Sequence, residues 1–169
     1  MSYSLEAFVA DCRAALQHDP GPAGREVVKQ LVERAAGDAQ FVETNIRPDQ
    51  EKERHLLYED PDLKFCVLAH VYHDAKGSSP HDHGPSWAIY GQASGTTDMT
   101  DYRIIEKAHD GQSGKAVAIR NYALTPGTAY VYNEGDLHAP SRSGPTRLLR
   151  IEGINLLGVK RDKYEVVQG

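Results

Sequence analysis

The sequence predicts a mostly β fold, a sandwich or barrel, behind a pair of N-terminal α-helices. Three observations carry this. Short apolar, strand-like segments recur from His55 to the C-terminus. Gly- and Pro-rich turns separate them, as in all-β domains. Before about Ala36 the apolar residues recur at helical spacing instead.

In chain order, Ser4 is a fair N-cap with Glu6 close behind. Leu5, Phe8, Val9, Cys12 and Leu16 then form one helical face. Asp19-Pro20-Gly21-Pro22 breaks this helix. Val27, Val28, Leu31, Val32 and Ala35 form the face of a second, which stops at Gly37. Both helices are expected to pack outside the barrel and to carry no chemistry. Phe65 to Tyr72 is nearly continuously apolar, as a strand covered on both faces must be. Further strands are expected at Ser86 to Tyr90, ending at Gly91, and at Tyr102 to Ile105, Ala116 to Leu124, Ala129 to Tyr132, Arg147 to Ile151 and Tyr164 to Val167. Asp110-Gly111-Gln112-Ser113-Gly114 and Thr125-Pro126-Gly127 read as turns. The expected organisation is one domain over 1–169, with a helical extension over 1–50 and a barrel over 51–169.

Composition narrows the function. The chain has 169 residues, 25% of them charged and 40% apolar, as an ordinary globule does. A formal net charge of −5, with Lys and Arg scattered, disfavours general binding to nucleic acid or anionic membranes. No apolar run is long enough to span a bilayer, and Met1-Ser2-Tyr3-Ser4 does not start a signal peptide. Two cysteines, Cys12 and Cys66, make no disulfide framework and read as core residues. The expected location is the cytoplasm.

The chemistry concentrates in Pro80-His81-Asp82-His83-Gly84 and, much later, Gly135-Asp136-Leu137-His138. Residues two apart on a strand share a face, so His81 and His83 are expected to point together. A third imidazole from His138 completes one side of a metal ion and leaves the other side open. Asp82, between the two, faces away and is expected to bond the backbone. His70 and His73 are assigned structural roles, and His109 an exposed turn. His18 sits at a helix end. His55, beside Arg54, is placed in the core or on the surface. Trp87 either lines the pocket or plugs the core.

With these residues in view, the sequence resembles the cupin superfamily. The family's first motif reads Gly-x(5)-His-x-His-x(3,4)-Glu-x(6)-Gly and its second Pro-x-Gly-x(2)-His-x(3)-Asn. His81 and His83 match the first, and Gly135 and His138 match the second. Asn133 and Arg142 stand where the second motif has Pro and Asn, and Ala75 where the first has its leading Gly. Trp87 or Ala88 falls at the motif's Glu, so the resemblance is closer to the three-histidine thiol dioxygenase branch. Gly77-Ser78-Ser79-Pro80-His81-Asp82-His83 is similar to that branch's Gly-Ser-Ser-x-His-Asp-His, and Arg54 lies near its carboxylate-gripping arginine. Two features of the branch are missing. Ser86-Trp87-Ala88 lacks the crosslinking cysteine, and Thr146 to Glu152 lacks the Ser-x-His-x-Tyr relay.

The resemblance implies a double-stranded β-helix, the cupin jelly-roll barrel, and a metal held by His81, His83 and His138. Fe(II) is the first choice. The ligand type also admits Ni, Zn, Mn or Cu. The implied activity is a dioxygenase joining O₂ to a small carboxylate-bearing substrate, with thiol acids as the leading class. Arg54, Arg150 and Tyr132 are the candidate catalytic residues. Arg150 is expected in a buried strand, holding a carboxylate or paired with Glu152. A homodimer is implied by resemblance. The alternatives are an isomerase or hydrolase that uses the metal without O₂, and a non-catalytic cupin that binds a small molecule.

Overall fold

The computed structural model describes residues 2–169. The helices are α1 (Leu5–His18), α2 (Pro22–Ala36) and α3 (Ala39–Asn45). The strands are β1 (Arg54–Glu59), β2 (Cys66–Tyr72), β3 (Lys76–Gly77), β4 (Ala88–Ser94), β5 (Thr97–Glu106), β6 (Gly114–Leu124), β7 (Ala129–Tyr132), β8 (Leu137–Arg142), β9 (Thr146–Glu152) and β10 (Tyr164–Val166). They form two five-stranded sheets in the orders β1-β2-β9-β4-β7 and β10-β6-β5-β8-β3. All pairings are antiparallel except β10 with β6. The two sheets curl together into a jelly-roll double-stranded β-helix, with the helices against one of them.

The helices begin where the sequence chemistry requires. The Ser4 hydroxyl accepts from the Ala7 amide, and Pro22 opens α2. Asp38 caps α3 by accepting from Gln40 and Phe41. This third helix follows the stop at Gly37 and falls within the expected helical extension over 1–50, although no separate helix is expected there from the sequence. Val27 is 47% exposed, so it lies off the buried face formed by Val28, Val32 and Ala35.

The helix-bearing sheet is buried on both sides, and its two residue parities divide the work. Val67, Ala69 and Val71 of β2, Ile89 of β4, and Leu149 and Ile151 of β9 pack with Phe8, Cys12, Val28, Val32 and Phe41. The alternate residues face inward. Tyr90, Ala88, Tyr132 and Leu148 meet Met99 and Leu124 from the other sheet. Trp87 belongs to the outer layer, under the Arg25 guanidinium.

β4 does not end at Gly91 but continues to Ser94. Glycine is required there by the helix rather than by a turn. A Cβ on Gly91 would lie 2.3 Å from Val32 Cγ1 and 3.2 Å from the Leu149 carbonyl. β5 likewise starts at Thr97, well before Tyr102, and is bulged at Asp101/Tyr102.

Asp60, between β1 and β2, ties the helices to the barrel. Its carboxylate accepts from Arg13, from the Tyr58 hydroxyl at 2.9 Å and from the amides of Asp62 and Leu63 at 3.0 and 2.7 Å. Burial alone would raise its pKa. The Leu63 amide, Arg13, Tyr58 and the Asp62 amide outweigh burial and hold it at about 2.

Gly91→Ala should lose about 1–3 kcal/mol to overpacking, seen as a lower Tm. The loss in the Gly91→Ala/Val32→Ala double variant should be smaller than the sum of the singles. The Asp60 carboxylate is more acidic folded than unfolded, so its contribution is complete above pH 4 and disappears as pH falls towards 2. Asp60→Asn should therefore cost about 1–3 kcal/mol near neutral pH and flatten the acid limb of a Tm-against-pH curve.

Candidate metal centre

His81 and His83 do not lie on a regular strand. They sit in the irregular segment 78–87 between β3 and β4. What holds them is a reciprocal backbone pair with β8. The His81 amide donates to the His138 carbonyl at 2.9 Å, and the His138 amide donates to the His81 carbonyl at 3.0 Å. Gly84 then turns the chain with a φ of +60°. Its amide donates to the Asp82 carboxylate at 2.8 Å. Asp82 thus bonds the backbone, as its position between the two histidines implied.

The three imidazoles converge between the 78–87 segment and β8. Their candidate ligand nitrogens lie within 4.8 Å of one another, and those of His83 and His138 are 3.2 Å apart. His83 and His138 are fully buried, while His81 is partly open. His81 Nδ1 donates to the Ser79 carbonyl at 2.9 Å, and His138 Nδ1 donates to the Asp136 carbonyl at 3.0 Å. A carbonyl only accepts, so the proton is on Nδ1 in both rings and each Nε2 carries the lone pair. Backbone acceptors of this kind orient metal-ligating histidines. Burial pushes His81 down to about 4, and burial with Arg150 pushes His83 lower still. Burial and the neighbouring His81 lower His138 as well. All three rings are therefore neutral near pH 7, the form a divalent ion needs. The donor set fits a late first-row metal ion.

Around the imidazoles the lumen is rich in donors. The Tyr90 hydroxyl lies 3.1 Å from His83 Nε2 and 3.3 Å from His138 Nε2. Burial raises its pKa, so it keeps its proton. Arg150 opposes Tyr90 across the β4–β9 register and places a guanidinium nitrogen 3.3 Å from His83 Nδ1. Arg161, on the segment after β9, adds positive charge felt by all three histidines.

Each sequence candidate has a definite place. Tyr132 stacks on His138 with ring centroids 4.0 Å apart, and its hydroxyl is 2.7 Å from that of Tyr122. It braces the His138 imidazole. Arg54 is tied to Glu152 at 3.1 Å and Asn155 at 2.8 Å. Glu152 is thus the partner of Arg54 and not of Arg150. His73 bonds the Gln50 carbonyl, and His55 is exposed in the outer cleft bounded by α3 and β1, far from this chemistry. Cys12 and Cys66 are buried free thiols, and burial pushes Cys66 up to about 11.

Sequence reasoning missed Tyr90, His70 and Arg142 as lumen residues. Tyr90 was legible only by counting inward parity from Ile89 and Gly91, which belong to the helix side. Counting from His83 fails because the segment before β4 is irregular.

No protein-family model matches the sequence, and no curated protein sequence matches it. Among solved structures, the chain is similar to a cupin-2 domain containing protein from Shewanella frigidimarina at 16% identity. That alignment covers 61% of this chain and 81% of the other, with a TM-score of 0.42. A cupin superfamily protein from Desulfitobacterium hafniense is similar at 15% identity, over 63% and 84% of the two chains, with a TM-score of 0.42. A Klebsiella pneumoniae protein with a double-stranded β-helix domain is similar at 16% identity, over 66% and 84%, with a TM-score of 0.42. The strand order of this chain, rather than these likenesses, defines its fold. None of the three carries a branch or a substrate over to it.

Purified protein titrated with Co²⁺ or Zn²⁺ should bind one ion per chain. His83→Ala and His138→Ala should each weaken binding by about 100-fold or more, whereas second-layer changes typically cost about 10–100-fold. His70→Ala should leave the affinity unchanged. Isothermal titration calorimetry reads all three.

Proposed function

We propose that the chain is a mononuclear metal enzyme, first an Fe(II) dioxygenase, acting on a small anionic substrate that carries a carboxylate, with thiol acids as the leading class. One observation carries this reading: the donor cluster is three imidazoles with a guanidinium beside it and no carboxylate among the donors. Among the described residues, no Asp or Glu joins the three histidines, and Arg150 stands 3.3 Å from His83. A divalent ion held by three neutral imidazoles keeps its full charge, and the guanidinium adds another. An anionic substrate supplies the balance.

When bound, the ion would supply Lewis-acid and redox chemistry to an organic anion and O₂. The rest is done by side chains. His81, His83 and His138 would hold the ion, their rings fixed by the Ser79 and Asp136 carbonyls and by the Tyr132 face. Arg150 binds the substrate carboxylate and orients it beside the histidines. The Tyr90 hydroxyl holds a proton within hydrogen-bonding distance of His83 and His138 Nε2. Leu148, Met99 and the ring of Tyr90 keep bulk water from the lumen. Arg54, engaged by Glu152, serves the barrel wall rather than the substrate in this reading.

Iron-loaded protein should consume O₂ in proportion to the loss of a thiol carboxylic acid in an oxygen-electrode assay. His83→Ala should abolish both metal content and uptake. Arg150→Gln should raise KM by about tenfold or more with a smaller effect on kcat. Turnover of the same acids under anaerobic conditions with zinc or nickel would replace this reading with the Lewis-acid isomerase or hydrolase.

A further inference from the structure

Beside the histidines, His70, Tyr72, Tyr90, Arg142, Leu148 and Arg150 line a narrow gap that, with the side chains as they stand, is closed even to a water molecule. Arg150 reaches it from β9 in one sheet and Arg142 from β8 in the other. Two guanidiniums thus converge from opposite walls. Neither has a carboxylate partner among the described residues. Arg142 is only 6% exposed and donates to the Thr97 hydroxyl at 3.2 Å from Nε. Its guanidinium otherwise lies over the Tyr72 ring at 4.3 Å. Arg150 lies over the Tyr90 ring at 4.5 Å, and its Nε is buried without a partner. The wall adds His70, 7% exposed, whose Nδ1 meets the Tyr72 hydroxyl at 3.1 Å and whose Nε2 has no partner.

Ordinary cores do not assemble this set. A buried cation left without a counter-charge is costly, and two facing each other are costlier. Burial and Arg150 both disfavour the Arg142 charge, and burial and the same arginines disfavour protonation of His70. Unspent guanidinium donors are suited to the oxygens of a carboxylate or phosphate.

We propose that Arg142 and Arg150 form an oxyanion subsite, with His70 at its wall, and that the substrate ends in a group or pair of groups carrying two negative charges, a dicarboxylate or a phosphoryl. The inference rests on reading the lumen as the substrate cavity and deepens it. Arg150 touches both His83 and the gap, so the acidic terminus sits one imidazole ring away from the ligand nitrogens. The substrate is therefore short: a head that reaches the histidines and a doubly charged tail between the arginines, whose side chains part to admit it.

The test uses metal-free protein and simple anions at constant ionic strength, followed by calorimetry and thermal shift. Phosphate or malonate should bind at least about tenfold more tightly than acetate. Arg142→Gln and Arg150→Gln should each weaken that binding by about tenfold or more, and the exposed Arg103→Gln should not. Without a dianion, Arg142→Met should be at least as heat-stable as the wild type, because it removes an uncompensated buried cation. Malonate or phosphate should raise the wild-type Tm above that of the variant. Acetate binding as well as both dianions, or Arg142→Gln binding them like the wild type, overturns the subsite. So does an Arg142→Met variant less stable than the wild type in every anion. Dianion binding as expected in a protein that shows no O₂ uptake would leave the subsite standing and remove only the dioxygenase reading.

Discussion

The structure depends on a sheet that must be buried on both faces. Strands β2, β4 and β9 have helices on one side and a lumen on the other, so the two-residue period of a strand assigns every side chain to one task or the other. Val67, Ala69, Ile89, Leu149 and Ile151 hold the helices. Tyr90, Leu148, Arg150 and His70 line the interior. The segregation lets charged and titratable groups occupy the lumen without breaking the apolar seam that joins helices to barrel. Gly91 sits on that seam, where Val32 leaves no room for a side chain, and it directly follows Tyr90.

Much of the architecture was legible in the sequence because it rests on periodicity and turn chemistry. Helix α1 with its Ser4 cap, the continuous apolar run of β2 and the hairpin turn at Asp110-Gly111 all follow from local rules. The left-handed φ values of 49° and 75° at Asp110 and Gly111 are what such a turn needs. The errors fell where a local signal had a non-local cause. Gly91 looked like a strand end but is a helix contact. Val27 sat on the right period but at the edge of the buried arc. α3 is too short for its spacing to stand out.

The candidate centre was legible for a different reason. Three histidines in two short motifs are a chemical signal that survives without any knowledge of strand phase. The groups around them were harder to read, because their placement depends on register between strands distant in sequence. Arg150 reaches His83 only because β4 and β9 pair Tyr90 with Arg150. Glu152, two residues on, turns instead to Arg54 on β1. Arg142 stands where the resembling family has an asparagine, and nothing local marks it as a lumen cation. The electrostatic character of the interior, with Glu152 engaged by Arg54 while Arg142 and Arg150 have no carboxylate partner, is a property of the closed barrel rather than of any one segment.

The two hydrogen bonds between His81 and His138 are made by main-chain groups alone. The loop that presents the imidazoles is therefore positioned by backbone atoms that every residue except proline possesses. Replacing either side chain removes a ring nitrogen and neither of these two bonds. Ligand chemistry in this barrel is thus separable from folding. A lineage can exchange one donor type for another at these positions by point substitution and keep the two main-chain bonds that seat the loop.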